Sequence, residues 1–228
     1  MQNSGYYLDL NRFTLEELKE LLKSSRLLPS QQILLDDIDE RFAVLKGMGI
    51  ESLAQLQKAL KTKKSVVAFA AETGMLENYL TVLRREVNSY QPKPINLKDF
   101  PGVDMGVIQT LEQQGIKNTK QLFPHVLTPE SREVFAEENQ IVAEDLLELT
   151  KLTDVARLKW VGPKFARLVI ESPYDTVENI AGSDYEEFYR AIMRVNEEKG
   201  IYKGGLGLED MKLWITAVVP LVPQVIVY

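Results

Sequence analysis

Between residues 151 and 170, Lys151, Arg157, Lys159, Lys164 and Arg167 stand against Asp154 alone. This basic island lies between two acidic stretches. Residues 130–148 hold seven acids against Arg132, and residues 171–200 hold eight acids against three bases. Clustered cations beside a glycine such as Gly162 suit a phosphate-bearing partner, whose attraction is electrostatic and salt-dependent. The same composition also describes helices carrying solvated charge of mixed sign. Other chemistry is poorly supplied. There is no Cys, which excludes disulfides, thiolate zinc sites and a cysteine nucleophile. The single His, His125, follows Pro124 among apolar neighbours, with no Ser or acid at motif spacing, so it is expected to be a surface or half-buried residue. Asp36, Asp37 and Asp39 lack the spacing and central glycine of a calcium loop, and helix capping is the better expectation. Lys61, Lys63 and Lys64 are expected to follow a helix and meet its C-terminal dipole or solvent. Gly204-Gly205-Leu206-Gly207 follows no strand and reads as a flexible loop between helices. Neither an enzyme nor a cofactor, metal or small-molecule substrate is expected.

The chain of 228 residues is 45% hydrophobic and 26% charged, the composition of an ordinary globular protein, with a formal charge of -6. No run reaches the roughly 18 apolar residues of a membrane span. The opening MQNSGYYLDL lacks a basic start and a long apolar stretch, so no signal peptide is expected and a cytoplasmic location is.

The periodicity that must position these residues is helical. Leu76, Tyr79, Leu80, Leu83 and Val87 recur at helical spacing, as do Tyr185, Phe188, Tyr189, Ile192 and Val195. Leu208, Met211, Ile215 and Val218 form another stripe. Thr14 with Glu17 and Ser183 with Glu186 spell capping boxes, and Thr128 precedes Pro129 at the favoured first position. Gly49, Gly74, Gly115 and Gly200 mark stops. The fold class predicted is all-α, with short helices. Two β-like segments, Tyr6–Leu10 and Val225–Tyr228, lie at the chain ends. They predict either a minor two-stranded β-ladder in cis or an apolar tail that docks on another chain.

Self-comparison reveals an internal repeat. Leu45, Gly49, Ile50, Leu56, Thr62, Phe69, Ala70, Leu80 and Leu83 recur 66 residues later as Leu111, Gly115, Ile116, Leu122, Thr128, Phe135, Ala136, Leu146 and Leu149. With one residue of slippage, Ile38 and Phe42 match Val103 and Val107, and Val161 and Phe165 open a partial third copy. Pro92 and Pro94 break the chain between the full copies, which predicts domains at 1–91 and 92–228.

Leu97-Lys-Asp-Phe-Pro-Gly-Val-Asp104, ahead of a helix ending at Gly115-Ile116, resembles a helix-hairpin-helix motif. Leu158-Lys-Trp-Val-Gly-Pro-Lys164 resembles a second, and Leu35-Asp-Asp-Ile-Asp39 a worn third. Residues 96–220 resemble an uncharacterised bacterial domain-of-unknown-function family built from tandem helix-hairpin-helix units. The resemblance implies sequence-independent DNA binding, in which a Gly-hydrophobic-Gly turn lets backbone N–H groups at a helix start hold a phosphate. The turn at residues 35–39 has acids at both glycine positions, Asp37 and Asp39, and is expected to be structural. The turn at residues 100–104 keeps Gly102 but has Asp104, which is expected to cap its own helix. The turn at residues 158–164 keeps Gly162 and is basic, while Trp160 replaces the first glycine and is expected to act either as a core plug or as part of an open site.

Two functions follow from these residues. One is a non-catalytic nucleic-acid-binding module, with Gly162 and Lys164 on phosphate, Lys159 and Arg167 as flanking charges, and Arg157 in the same island. The other is a helical adaptor whose hairpins have lost their phosphate sites and serve protein partners.

Overall fold

A computed structural model describes residues 5–25 and 27–228. It is mainly helical and divides into two compact units. One runs Leu8–Gln91. The other comprises Met1–Tyr7 with Pro92–Tyr228. The chain crosses from one to the other at Gln91–Pro92, where the Pro-containing connector begins, and the described start of the chain, residues 5–7, belongs with the C-terminal unit.

The unit Leu8–Gln91 contains α1 (Leu15–Ser24), a 3-10 turn (Pro29–Leu35), α2 (Ile38–Gly47), α3 (Leu53–Ala59), α4 (Lys63–Thr73) and α5 (Glu77–Ser89). Thr14 caps α1 through the Glu17 N–H, and the Glu17 carboxylate accepts from the Thr14 N–H at 2.7 Å. Ser52 and Thr62 cap α3 and α4 by the same reciprocal arrangement. Lys61, Lys63 and Lys64 follow α3 and are exposed to solvent, and Lys63 and Lys64 also open α4, because Thr62 supplies the N-cap oxygen that fixes its start there. Leu18, Leu45, Leu56, Leu80 and Leu83 are fully buried.

The unit with Pro92–Tyr228 contains α6 (Met105–Gln113), α7 (Thr119–Leu122), α8 (Pro129–Asn139), α9 (Ala143–Val155), α10 (Pro163–Ile170), α11 (Val177–Ala181), α12 (Tyr185–Lys199) and α13 (Leu208–Leu213). A π-helical turn, Trp214–Val218, continues α13. The start of α12 departs from expectation. Asp184, not Ser183, is its N-cap and accepts from the Glu186 and Glu187 N–H groups at 2.9 and 3.0 Å. An aspartate oxygen reaches both orphan donors, which removes the role for a Ser183–Glu186 pair.

Helix ends fall where left-handed backbone is cheap: Gly49, Gly74, Gly115 and Gly200 all have φ between 61° and 82°. Gln140 takes this conformation after α8 with φ 54°, at the point 66 residues beyond Gly74. Among the described residues, β pairing is confined to isolated bridges. Thr14 pairs with Ser52 in one unit, and Asn96 with Asn118 in the other. The ladder between the chain ends is absent. The ends nevertheless meet in cis: Tyr6, Phe123 and Ile226 form a buried cluster, and the Val227 N–H donates to the Leu127 carbonyl at 2.8 Å.

Candidate nucleic-acid interface

The turn between α9 and α10 holds the residues on which phosphate binding depends. Gly162 is the N-cap of α10 with φ -104°, and Pro163 occupies the first helical position, where a missing N–H is harmless. No side chain caps this N-terminus, and a Cβ at Gly162 meets nothing within 4 Å. Lys164 is exposed and makes no ion pair among the described residues. Gly162 and Lys164 thus lie at the accessible start of α10, and the other three cations are buried.

Arg157 is 2% exposed and ion-pairs with the buried Asp154, one helical turn earlier. Its Nη1 donates to the Gly5 and Pro223 carbonyls, each at 3.1 Å, and its guanidinium lies 5.1 Å from the Phe123 ring centroid. Asp154 also accepts from the Val177 N–H and the Tyr228 hydroxyl, both at 3.1 Å. A guanidinium presents five donors in a rigid fork, so one side chain can bridge a carboxylate and two backbone carbonyls. Burial and the Asp154 carboxylate push the Tyr228 hydroxyl well above the ordinary tyrosine range. The group ties both chain ends to α9.

Arg167 is 5% exposed. Its Nε donates to the Pro101 carbonyl at 2.6 Å, its Nη2 to Glu148 at 2.8 Å, and its Nη1 to Glu171 at 3.4 Å. Glu171 is also bonded by Lys199. Gly102 has φ 79°, and a Cβ there would lie 3.8 Å from the Arg167 guanidinium, so the turn ahead of α6 rests directly on this side chain. Burial works against the Arg167 charge, but Glu148 and Glu171 more than offset it and raise its pKa further. The Lys199 hydrogen bond, reinforced by Arg167, holds the Glu171 carboxyl below its usual range. Lys159 is buried as well, with its Nζ 4.4 Å from the Trp160 ring centroid and its carbonyl accepting from the Trp214 indole at 3.1 Å.

The basic island is therefore not a solvated patch. Arg157 and Lys159, in the turn after α9, and Arg167, on α10, are buried, where an unpaired charge is far costlier than a paired one. Charge counting cannot register that. The spacing offered a signal: Asp154 precedes Arg157 by three residues and Glu171 follows Arg167 by four, both of which are neighbours on a helix surface. The role of Pro101 and Tyr228 as partners had no local signal.

Trp160 is the converse case. It is 55% exposed, so it plugs no core, and its φ of 71° is left-handed. That conformation costs a residue with a Cβ about 1–2 kcal/mol. The other turns carry acids. Asp104 accepts from the Gly106 and Val107 N–H groups at 2.7 and 3.0 Å and caps α6. Asp37, with φ 47°, makes no capping bond to α2, and Asp39 instead pairs with Lys23 at 2.8 Å and Lys19 at 3.4 Å. The capping expected of these acids fails because a left-handed Asp37 is already committed to the turn, and the lysines of α1 offer Asp39 better partners. His125 is exposed, 4.7 Å from the Phe135 ring centroid. Among the described residues, no group of three or more His, Cys, Asp or Glu could hold a metal ion, and no helix is long and apolar enough to cross a membrane.

Fold and site together define an all-helical protein whose clustered arginines serve its own architecture. The chain belongs to the family described as Domain of unknown function (DUF4332), which matches residues 102–218. No curated protein and no solved structure matches it.

Proposed function

We propose that this protein is a non-catalytic helical adaptor that acts through protein–protein contacts. One observation carries the reading. Around the turn before α10 Arg157, Lys159 and Arg167 are buried, while Trp160 is held 55% exposed in a conformation that disfavours it. Strained backbone clusters at functional positions, and tryptophan is enriched among residues that dominate protein interfaces. The net charge of -6 supports the same reading.

The proposed architecture is a tandem array of helix-hairpin-helix units, duplicated at the 66-residue offset. Its support is the matching burial of Leu45 with Leu111, Phe69 with Phe135, and Leu83 with Leu149, and the equivalent bridges at Ser52 and Asn118. A bacterial setting is proposed from the sequence resemblance alone.

Nucleic-acid binding is the second reading. The uncapped α10 N-terminus with exposed Lys164 and open Gly162 favours it. A photo-crosslinking residue placed at position 160 in cells separates the two. The adaptor reading expects protease-sensitive, nuclease-resistant adducts; nuclease-sensitive adducts overturn it.

A further inference from the structure

Leu76 is the N-cap of α5, makes no capping bond and is 61% exposed. Ser, Thr, Asp or Asn at such a position would satisfy an orphan N–H, and leucine forfeits that while keeping its side chain in water. Leu76 borders a groove of about 310 Å³ lined by Asp37, Glu40, Arg41, Val44, Thr73, Gly74, Met75 and Leu76. Val44 is also exposed, so two exposed apolar side chains line the groove. Its charge is acidic at the rim. Glu40 is exposed, and the Asp37 carboxylate is mostly exposed with only a 3.7 Å contact to Arg41. The groove's one cation, Arg41, is turned onto the Tyr79 ring, 4.2 Å from its centroid.

We propose that this groove docks a short basic amphipathic segment of a partner protein, with its apolar side chains on Val44 and Leu76 and its cations on Asp37 and Glu40. The proposal rests on the adaptor reading and gives the partner its chemistry. Acidic rims around apolar walls select cations by complementarity and reject acidic segments by like-charge repulsion.

The test uses the full chain and a fluorescent amphipathic Lys/Leu peptide, with its Glu/Leu counterpart as control, followed by anisotropy. The Lys/Leu peptide should bind saturably and the Glu/Leu peptide should not. Asp37→Lys with Glu40→Lys should weaken binding about tenfold or more, while Glu197→Lys with Glu198→Lys, acids at the end of α12 in the other unit, should leave it unchanged. Leu76→Ser supplies a readout that a structural role would not give: binding weakens while the melting temperature of this unit rises, since serine caps α5. Equal loss in both charge-reversal variants, or unchanged binding in Leu76→Ser, overturns the groove. If the groove fails while position 160 still crosslinks to protein, the adaptor reading survives without it. Nuclease-sensitive crosslinks at position 160 remove the reading on which the groove depends.

Discussion

Asp154→Ala isolates the physical claim that Arg157 is structural. The Arg157 side chain is 0% exposed and Asp154 is its only anionic partner among the described contacts. Removing that carboxylate leaves a buried guanidinium bonded only to the Gly5 and Pro223 carbonyls. Breaking a buried pair from one side costs about 3–5 kcal/mol. The Val177 N–H and Tyr228 hydroxyl lose an acceptor too, but Tyr228 is 37% exposed and can turn to water. The expected loss is therefore about 3–5 kcal/mol, or a fall of at least about 1 M in the urea midpoint at usual slopes. Both tryptophans, Trp160 and Trp214, lie in the unit with Pro92–Tyr228, so their fluorescence follows the affected unit selectively. Asp154→Leu with Arg157→Met should recover much of the loss, since an apolar pair replaces a desolvated ionic one. A loss below about 1 kcal/mol for Asp154→Ala would show that Arg157 reaches water freely, and the inward-turned island would be refuted.

Trp160→Gly relieves left-handed strain worth about 1–2 kcal/mol, against about 0.4–1 kcal/mol of added unfolded-state entropy; the same urea titration should find stability within about 1 kcal/mol of the parent, whereas a large loss would make Trp160 a packing residue. Glu171 has a lowered folded pKa, so its contribution is present above the ordinary glutamate range and lost as pH falls through the folded value. Glu171→Gln should flatten the acid limb of a stability–pH curve, and an unchanged limb contradicts the Arg167–Glu171–Lys199 network. Burial raises Tyr6 and Tyr79 to about 12, so their contribution holds below pH 10 and is lost as pH rises through about 12. Tyrosinate absorbance should show a late phase that coincides with loss of helical circular dichroism; complete ionisation near pH 10 in folded protein contradicts their burial.

Helix positions and caps were legible in the sequence because they depend on local chemistry. Thr14 with Glu17, Thr128 ahead of Pro129, and the glycines after α4 and α12 act within a few residues of themselves. The Gln91–Pro92 junction was legible for a similar reason, since proline alters the chain locally. The site was much less so. Arg157 and Arg167 owe their roles to carbonyls at Pro223 and Pro101, each 66 residues away along the chain, and composition does not record such partners. The core-plug alternative for Trp160 fails for the opposite reason: its size suggests burial, yet the turn points it to solvent.

The most direct test of the adaptor account is binding of the full chain to DNA and RNA across a salt series, with Lys164→Glu as the paired variant. One exposed lysine at the α10 start, on a chain of charge -6, predicts no salt-dependent binding in the ~10⁻⁴–10⁻⁶ M range of non-specific nucleic-acid binders. Binding in that range that weakens steeply with salt and is lost in Lys164→Glu would contradict the account.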